Sequence, residues 1–433
     1  MRRREFTFAI AGMGMARPLR VATFRSEVTP ALGEPLIWVD PTREVLDPLW
    51  AKGVVIEGPE GRVVLCAVDW CGLGGYVHRM FREKLARAVK TSAECVAVQS
   101  VHQHTAPYVE GGGYELMARL KHPPLMMSGR YLEAVTDRLA SAAAQAASRL
   151  QPFDAAGLGS FGLERVGSAR RMMVGGKLVT RFSTSGKDPR MAELPEGDID
   201  TRLRTVTLLA KGKPLVRLHY YASHPQTFCC DGRVTADFVG AAREAVERDE
   251  RIPQIYFTGC AGDTTVGKYN DGGGDARAGL AKRMEAGMRS SIQSTRTSPV
   301  HEMDWKTVEL RLPLKPGPKP EWPPAEVAAM SGNDIYRRAI QAAFHARREP
   351  LSVSRLRLGG LQIVHLPGEP LLEFQRHAGD AIVAGYGDIS PGYLCPDRAF
   401  EEGGYEPSAS NAGPGTEAAV KQAITKVLAR SSG

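Results

Sequence analysis

Cys95-Val96-Ala97-Val98-Gln99-Ser100-Val101 runs straight into His102-Gln103-His104-Thr105-Ala106-Pro107, and this junction decides how the chain is read. The first half is an apolar, β-rich run and the second is abruptly polar. Residues two apart on an extended chain point to the same side, so His102 and His104 are expected to present two imidazoles together. Other runs share the shape. The run 62–68 ends at Asp69, 215–222 delivers His224-Pro225, 253–258 stops at Gly259-Cys260-Ala261-Gly262-Asp263, and 357–364 leads to Glu369. In open α/β sheets, ligands bind beyond the carboxyl ends of the strands. Asp69, His102, His104, His224, Asp263 and Glu369 are therefore the candidate pool. Two or three nitrogen donors plus a carboxylate form the donor set of a zinc hydrolase, which keeps one position open for water.

Working outward, 50–57 and 62–68 flank the turn signal Gly58-Pro59-Glu60-Gly61, which predicts a hairpin. Helical periodicity over 77–90 between the runs 62–68 and 95–101 gives a strand–helix–strand crossover, the parallel unit. Strands are expected at 203–210 and 215–222 around Lys211-Gly212, and helices at 131–150, 235–248, 275–295, 325–348 and 416–429, with one more ending near His377. The expected architecture is α/β: a mixed, largely parallel sheet flanked by helices, in one large domain over 19–433. The proline-rich stretch 313–324 with the helix after it reads as an insertion, 313–350. No internal repeat is visible.

A chain of 433 residues has ample core for one large domain, and 43% apolar with 24% charged residues is ordinary for a globular protein. The net charge of +8 is spread over many arginines, which argues for solubility rather than for nucleic-acid binding. No apolar stretch is long enough to span a bilayer. Seven cysteines, several inside strand-like runs and none in a CxxC pair, argue against both a disulfide framework and a thiolate zinc cluster. The start, Arg2-Arg3-Arg4-Glu5-Phe6 followed by 9–16, resembles a twin-arginine export signal over 1–18. A working signal implies a bacterial protein, periplasmic or secreted; otherwise the expectation is cytoplasmic.

Five segments, in order, resemble those of neutral ceramidases. Val101-His102-Gln103-His104-Thr105-Ala106-Pro107 is similar to their His-Thr-His-Ser-Gly-Pro motif, and Tyr221-Ala222-Ser223-His224-Pro225 to their strand ending in Val-His-Pro. Gly259-Cys260-Ala261-Gly262-Asp263 resembles their Ser-Asn-x-Gly-Asp loop, and Leu366-Pro367-Gly368-Glu369 their Pro-x-Glu motif. Gly392-Tyr393-Leu394-Cys395-Pro396 with Gly403-Gly404-Tyr405-Glu406 resembles their two-tyrosine segment. Over residues 19–415 the resemblance implies zinc held by His102, His224, Glu369 and Tyr393. It implies that His104 lies beside the metal, touching substrate or transferring protons, that Arg170 or Arg171 contacts substrate, and that Tyr405 does too. Asp263 and Gly259 are carried over as substrate-binding. The implied reaction is cleavage of an amide, in a ceramide-like N-acyl lipid or another small molecule, by zinc-activated water.

Two departures mark the chain. Gly259 stands where the family loop has serine, and the family's carboxyl-terminal β-sandwich has no counterpart, which moves the expectation from a bilayer lipid towards amides or esters in general. Other chemistries are weaker. Gly262 to Tyr269 imitates a phosphate-binding loop but lacks the Ser or Thr after Lys268. Cys260 with a histidine is a conceivable thiol hydrolase, and no GxSxG elbow is present. The non-enzymatic alternative is a zinc-binding scaffold without turnover.

Overall fold

The structure, a computed structural model, describes residues 18–316, 322 and 327–429. The export-signal reading falls outside these residues apart from Pro18, as do parts of the 313–350 segment. Three sheets carry the fold, and they repeat one plan. In the first, β1 (Arg20–Glu27), β2 (Trp50–Gly58) and β3 (Gly61–Val68) pair antiparallel; helix α1 (Gly75–Val89) then crosses over to β4 (Val96–Ser100), parallel to β3. Helix α2 (Gly129–Ala147) closes the unit on β1.

The second unit repeats it with β5 (Ala155–Gly162), β6 (Arg202–Ala210), β7 (Lys213–Tyr221), α3 (Asp237–Glu250), the parallel β8 (Gln254–Thr258) and α4 (Gly274–Gln293). The third uses β9 (Met303–Leu310), β10 (Leu351–Leu358), β11 (Leu361–His365), α5 (Leu372–His377), the parallel β12 (Ile382–Ala384) and α6 (Thr416–Leu428). The α/β class of the sequence reading holds. Parallel pairing within these three sheets, however, is confined to the pair that the crossover helix joins: tight turns at Pro59-Glu60, Lys211-Gly212 and Gly359-Gly360 set the second and third strands antiparallel, and the first and second pair antiparallel across a long connection. The repetition escapes the sequence because it lies in strand order, while the connections differ in length. The segment 313–350, expected as an insertion, lies within the connection between first and second strands that all three units elaborate. Its helix runs Gly332–Ala346.

The sheets close on one another in a ring. Ser100 N–H donates to Tyr386 O (2.8 Å), Gly385 N–H to Thr258 O (2.9 Å), and the Thr258 hydroxyl to Val101 O (2.7 Å). The buried Gln99 side-chain amide reaches the carbonyls of Leu366, Ala384 and Gly385 at 3.1, 3.1 and 2.7 Å. Gly385 permits the approach: a Cβ there would stand 2.9 Å from Gly259 O. Asp69, a candidate ligand from its strand-end position, is spent elsewhere. Both its oxygens accept from the Arg243 guanidinium at 2.8 Å, and both residues are buried. A carboxylate so paired fastens the first unit to the helix of the second and has no oxygen for a metal.

Cys229 and Cys230, adjacent in sequence, are bridged, and no bridge joins distant segments among the described residues. No helix among them is long and apolar enough to cross a membrane.

Three histidines are packed into this frame as neutral groups. Burial pushes the pKa of His78 and His219 down to about 4 and that of His365 to about 3. Unfolded, a histidine titrates near 6.5. Below that pH the unfolded chain takes up protons that the native state refuses, so stability present above pH 6.5 is lost between pH 6.5 and 4. Each site contributes about 3 kcal/mol to that loss. Urea unfolding at pH 7.5, 6.0 and 5.0 is expected to show a steep fall; a flat profile would contradict it.

Candidate metal centre and active site

The loops that leave the strand pairs put four of the six candidates together. His102 follows β4, His224 follows β7, and Glu369 follows β11, one from each unit. Glu369 Oε2 lies 3.1 Å from His102 Nε2 and 3.4 Å from His224 Nε2. All three side chains are buried, and their donor atoms lie within 4.8 Å of one another. His104 Nε2 is 3.3 Å from His102 Nε2. Strand alternation does not bring the two histidines together as expected. The strand ends at Ser100, and His102 takes a positive φ of 73° that re-aims the chain. Such backbone costs energy and is held only by its surroundings. Here the surroundings include Tyr386, also at positive φ (61°), whose ring stacks on His102 with centroids 4.3 Å apart.

The proton positions follow from the acceptors. His102 Nδ1 is 2.5 Å from Cys71 O, and His224 Nδ1 is 2.8 Å from Ala261 O and 3.1 Å from Thr264 O. A carbonyl can only accept, so each Nδ1 bears a hydrogen, and Nε2 is the nitrogen left to face a metal. Burial, aided by Arg170, pushes the His224 pKa down to about 4, so that ring is neutral. His224 Nε2 and Glu369 Oε2 are buried without a hydrogen-bond partner. Burial opposes ionisation of Glu369, but His102 and His224 hold its pKa well below the usual carboxylate range. Two aimed lone pairs and one carboxylate oxygen, oriented by carbonyls behind them, are the donors a zinc-like ion requires.

Tyr393 lies beside Glu369 because Glu369–Pro370 and Tyr393–Leu394 form a two-residue parallel ladder. Its phenol accepts from Arg170 Nη2 at 2.7 Å; burial raises the phenol's pKa while Arg170 pulls it down. Arg170 also donates to Gly262 O and to Glu406 Oε1 and sits over the rings of Tyr393 and Tyr405. It therefore braces the tyrosines and does not reach the cavity. Arg171 spends its arms on Glu406 and Glu402.

A cavity of about 640 Å³ opens over the site, and His102, His104, Glu369, Tyr393 and Tyr405 are among its lining residues. Arg170, Arg171, Asp263 and Gly259 are not. Asp263 Oδ1 accepts from Leu372 N–H, and burial pushes its pKa up to about 6. A Cβ at Gly259 would stand 2.6 Å from Gln375 Oε1, the atom that accepts Cys260 N–H, so the position is filled by packing. Cys260 is buried in the core of the third unit, and burial raises its thiol pKa well above the ordinary value, which disfavours the thiolate a thiol hydrolase needs. Lys268 is also engaged: its ammonium bonds the carbonyls of Ala192 and Leu194, so the phosphate-loop imitation has no free lysine.

Sequence reasoning missed Tyr386, Gln226 and Glu406. Tyr386 sits beyond the apolar Ile382-Val383-Ala384, the same run-then-polar shape that singled out the other candidates. Glu406 follows Tyr405 directly. Gln226, 3.0 Å from His104 Nδ1, left no signal.

No protein-family model matches the chain, and no curated protein does. Among solved structures, neutral ceramidase from Pseudomonas aeruginosa superposes with a TM-score of 0.71 at 17% identity, over 95% of this chain and 74% of that one. The fold is that of neutral ceramidase. A ceramidase complexed with C2 matches equally well, with a TM-score of 0.70, 17% identity and the same coverage. At that identity the likeness concerns the ceramidase fold, and the chemistry rests on the side chains above.

Within this ceramidase fold Glu406 carries two arginines, and it is itself fully buried. Glu406→Gln leaves Arg170 without a carboxylate in the interior and is expected to cost about 3–5 kcal/mol of stability. Glu402→Gln, which removes a partly exposed pair, is expected to cost about 0–1 kcal/mol. Equal losses in urea titrations of the two variants would refute this ranking.

Proposed function

We propose that this protein is a zinc-dependent hydrolase that cleaves an amide bond, in a ceramide-like N-acyl lipid or another small amide. The observation that carries the reading is the pair of Nδ1–H groups held on backbone carbonyls, which aims two Nε2 lone pairs at the oxygen of Glu369. The ceramidase fold is consistent with it. His102, His224 and Glu369 hold the metal, with Tyr393 as a fourth donor on the same wall. Bound there, zinc supplies a Lewis acid and a water of pKa about 7.

The chain's own residues do the rest. Burial, with His102 and His224 nearby, lowers the His104 pKa well below the ordinary value, so His104 is neutral. Gln226 Nε2 donates to His104 Nδ1, which leaves the His104 hydrogen on Nε2, the nitrogen beside the metal position. In that state His104 donates a hydrogen bond to the oxyanion that forms as the carbonyl becomes tetrahedral. Burial raises the Tyr405 pKa, so its phenol stays protonated and serves as a second donor from the cavity wall. Arg170 and Arg171 are positioning residues that act through Tyr393 and Glu406.

Metal analysis of the purified protein and of His102→Ala and His224→Ala tests the proposal. About one zinc per chain is expected, lost in both variants, and a chelator is expected to abolish amide turnover until zinc is restored. A metal-free wild type that keeps activity would sink it. Zinc without turnover on a panel of amides and esters would instead favour a binding scaffold.

A further inference from the structure

We infer that the substrate carries an anionic group, a carboxylate, held by Arg337 with help from Arg338 at the wall of the cavity away from the metal centre. The inference rests on the amide-hydrolase reading for the identity of the bond cleaved. Arg337 and Arg338 lie on the helix Gly332–Ala346, and both line the same cavity as His102, His104 and Glu369. Neither arginine has a carboxylate partner among the described residues; Arg337 is exposed and Arg338 half-buried. Asp334, one turn away on the cavity wall, accepts from the Ser331 hydroxyl and pairs with neither.

Arg337 is nevertheless held in place. Its guanidinium lies over the indole of Trp38, 4.2 Å from the ring centroid, and Trp38 in turn stacks on Tyr108 with centroids 6.3 Å apart. Trp38 is presented by strained backbone, with positive φ at Trp38 (61°) and Val39 (57°), a conformation that persists only where the surroundings enforce it. A guanidinium that spends its face on an aromatic ring keeps its edge of N–H donors for a planar anion. Arg338 adds a second positive charge, and its Nε is buried without a partner. Apolar Trp38, Ile37, Met330 and Ile340 line the cavity between and around these groups, which suits an acyl or alkyl portion.

The test uses zinc-loaded protein and two amides of equal acyl length, N-dodecanoylglycine and the neutral N-dodecanoylethanolamine. Turnover is measured as kcat/KM, and affinity for both compounds by calorimetry on the same preparations. Wild type is expected to favour the glycine conjugate about tenfold or more, and Arg337→Gln to lose most of that preference through KM. Arg130→Gln, an exposed arginine outside the cavity, removes the same charge and is expected to leave the preference intact. If wild type and Arg337→Gln treat the two amides alike, the anion site is overturned while amide hydrolysis stands. If neither amide is cleaved but the glycine conjugate binds tighter and loses that advantage in Arg337→Gln, the anion site stands and the hydrolase reading falls. No cleavage with no difference in binding overturns both.

Discussion

The ring of hydrogen bonds between the three strand pairs is the constraint on which the site depends. Ser100 to Tyr386, Gly385 to Thr258 and Thr258 to Val101 each link a different pair of sheets. With all three made, the loops beyond the strands have one arrangement, and each unit contributes one donor. His102, His224 and Glu369 come from three sheets that share no strand. Buried backbone groups are nearly always paired, so the ring also accounts for polar atoms that would otherwise be orphaned where the sheets meet.

Around this centre the charges are arranged in layers. The inner layer is one carboxylate among buried imidazoles, of which burial keeps His104 and His224 neutral. The next is arginine: Arg170 and Arg171 share Glu406 on one side, and Arg243 grips Asp69 on another. These pairs are costly to desolvate and would be poor devices for stability alone. Their geometry instead positions other parts: Arg170 holds the rings of Tyr393 and Tyr405 at the cavity, and Arg243 ties the second unit to the first. Arg337 breaks the pattern, since its support is aromatic and its donors are left unspent.

Much of this was legible in the sequence, for a physical reason. A strand buried on both faces is a continuous apolar run, and the residue that ends it stands out. His102, His224 and Glu369 entered the candidate pool in that way, and the resemblance to neutral ceramidases picked them out of it. The same rule selected Asp69 and Asp263 wrongly as ligand candidates, because a run shows where a strand stops and not where the following loop turns. The hairpins at 58–61 and 211–212 and the helix after β3 were readable from turn residues and periodicity. The threefold plan was not, since three units can share a strand order without sharing a residue pattern. Tyr386, Gln226 and the Trp38 platform were invisible because their roles arise from contacts across units.

The strained turn at Trp38 has a consequence for how the cavity can evolve. Its indole faces Tyr108 from the first unit on one side and Arg337 from the third on the other, so it is a hinge pin between two elaborated connections. Neither connection supplies a side chain to the cluster of His102, His224 and Glu369. Both can therefore change length and composition while His102, His224 and Glu369 stay where the ring of sheets puts them. In such a scaffold the walls of the cavity are built independently of the corner where the three side chains meet.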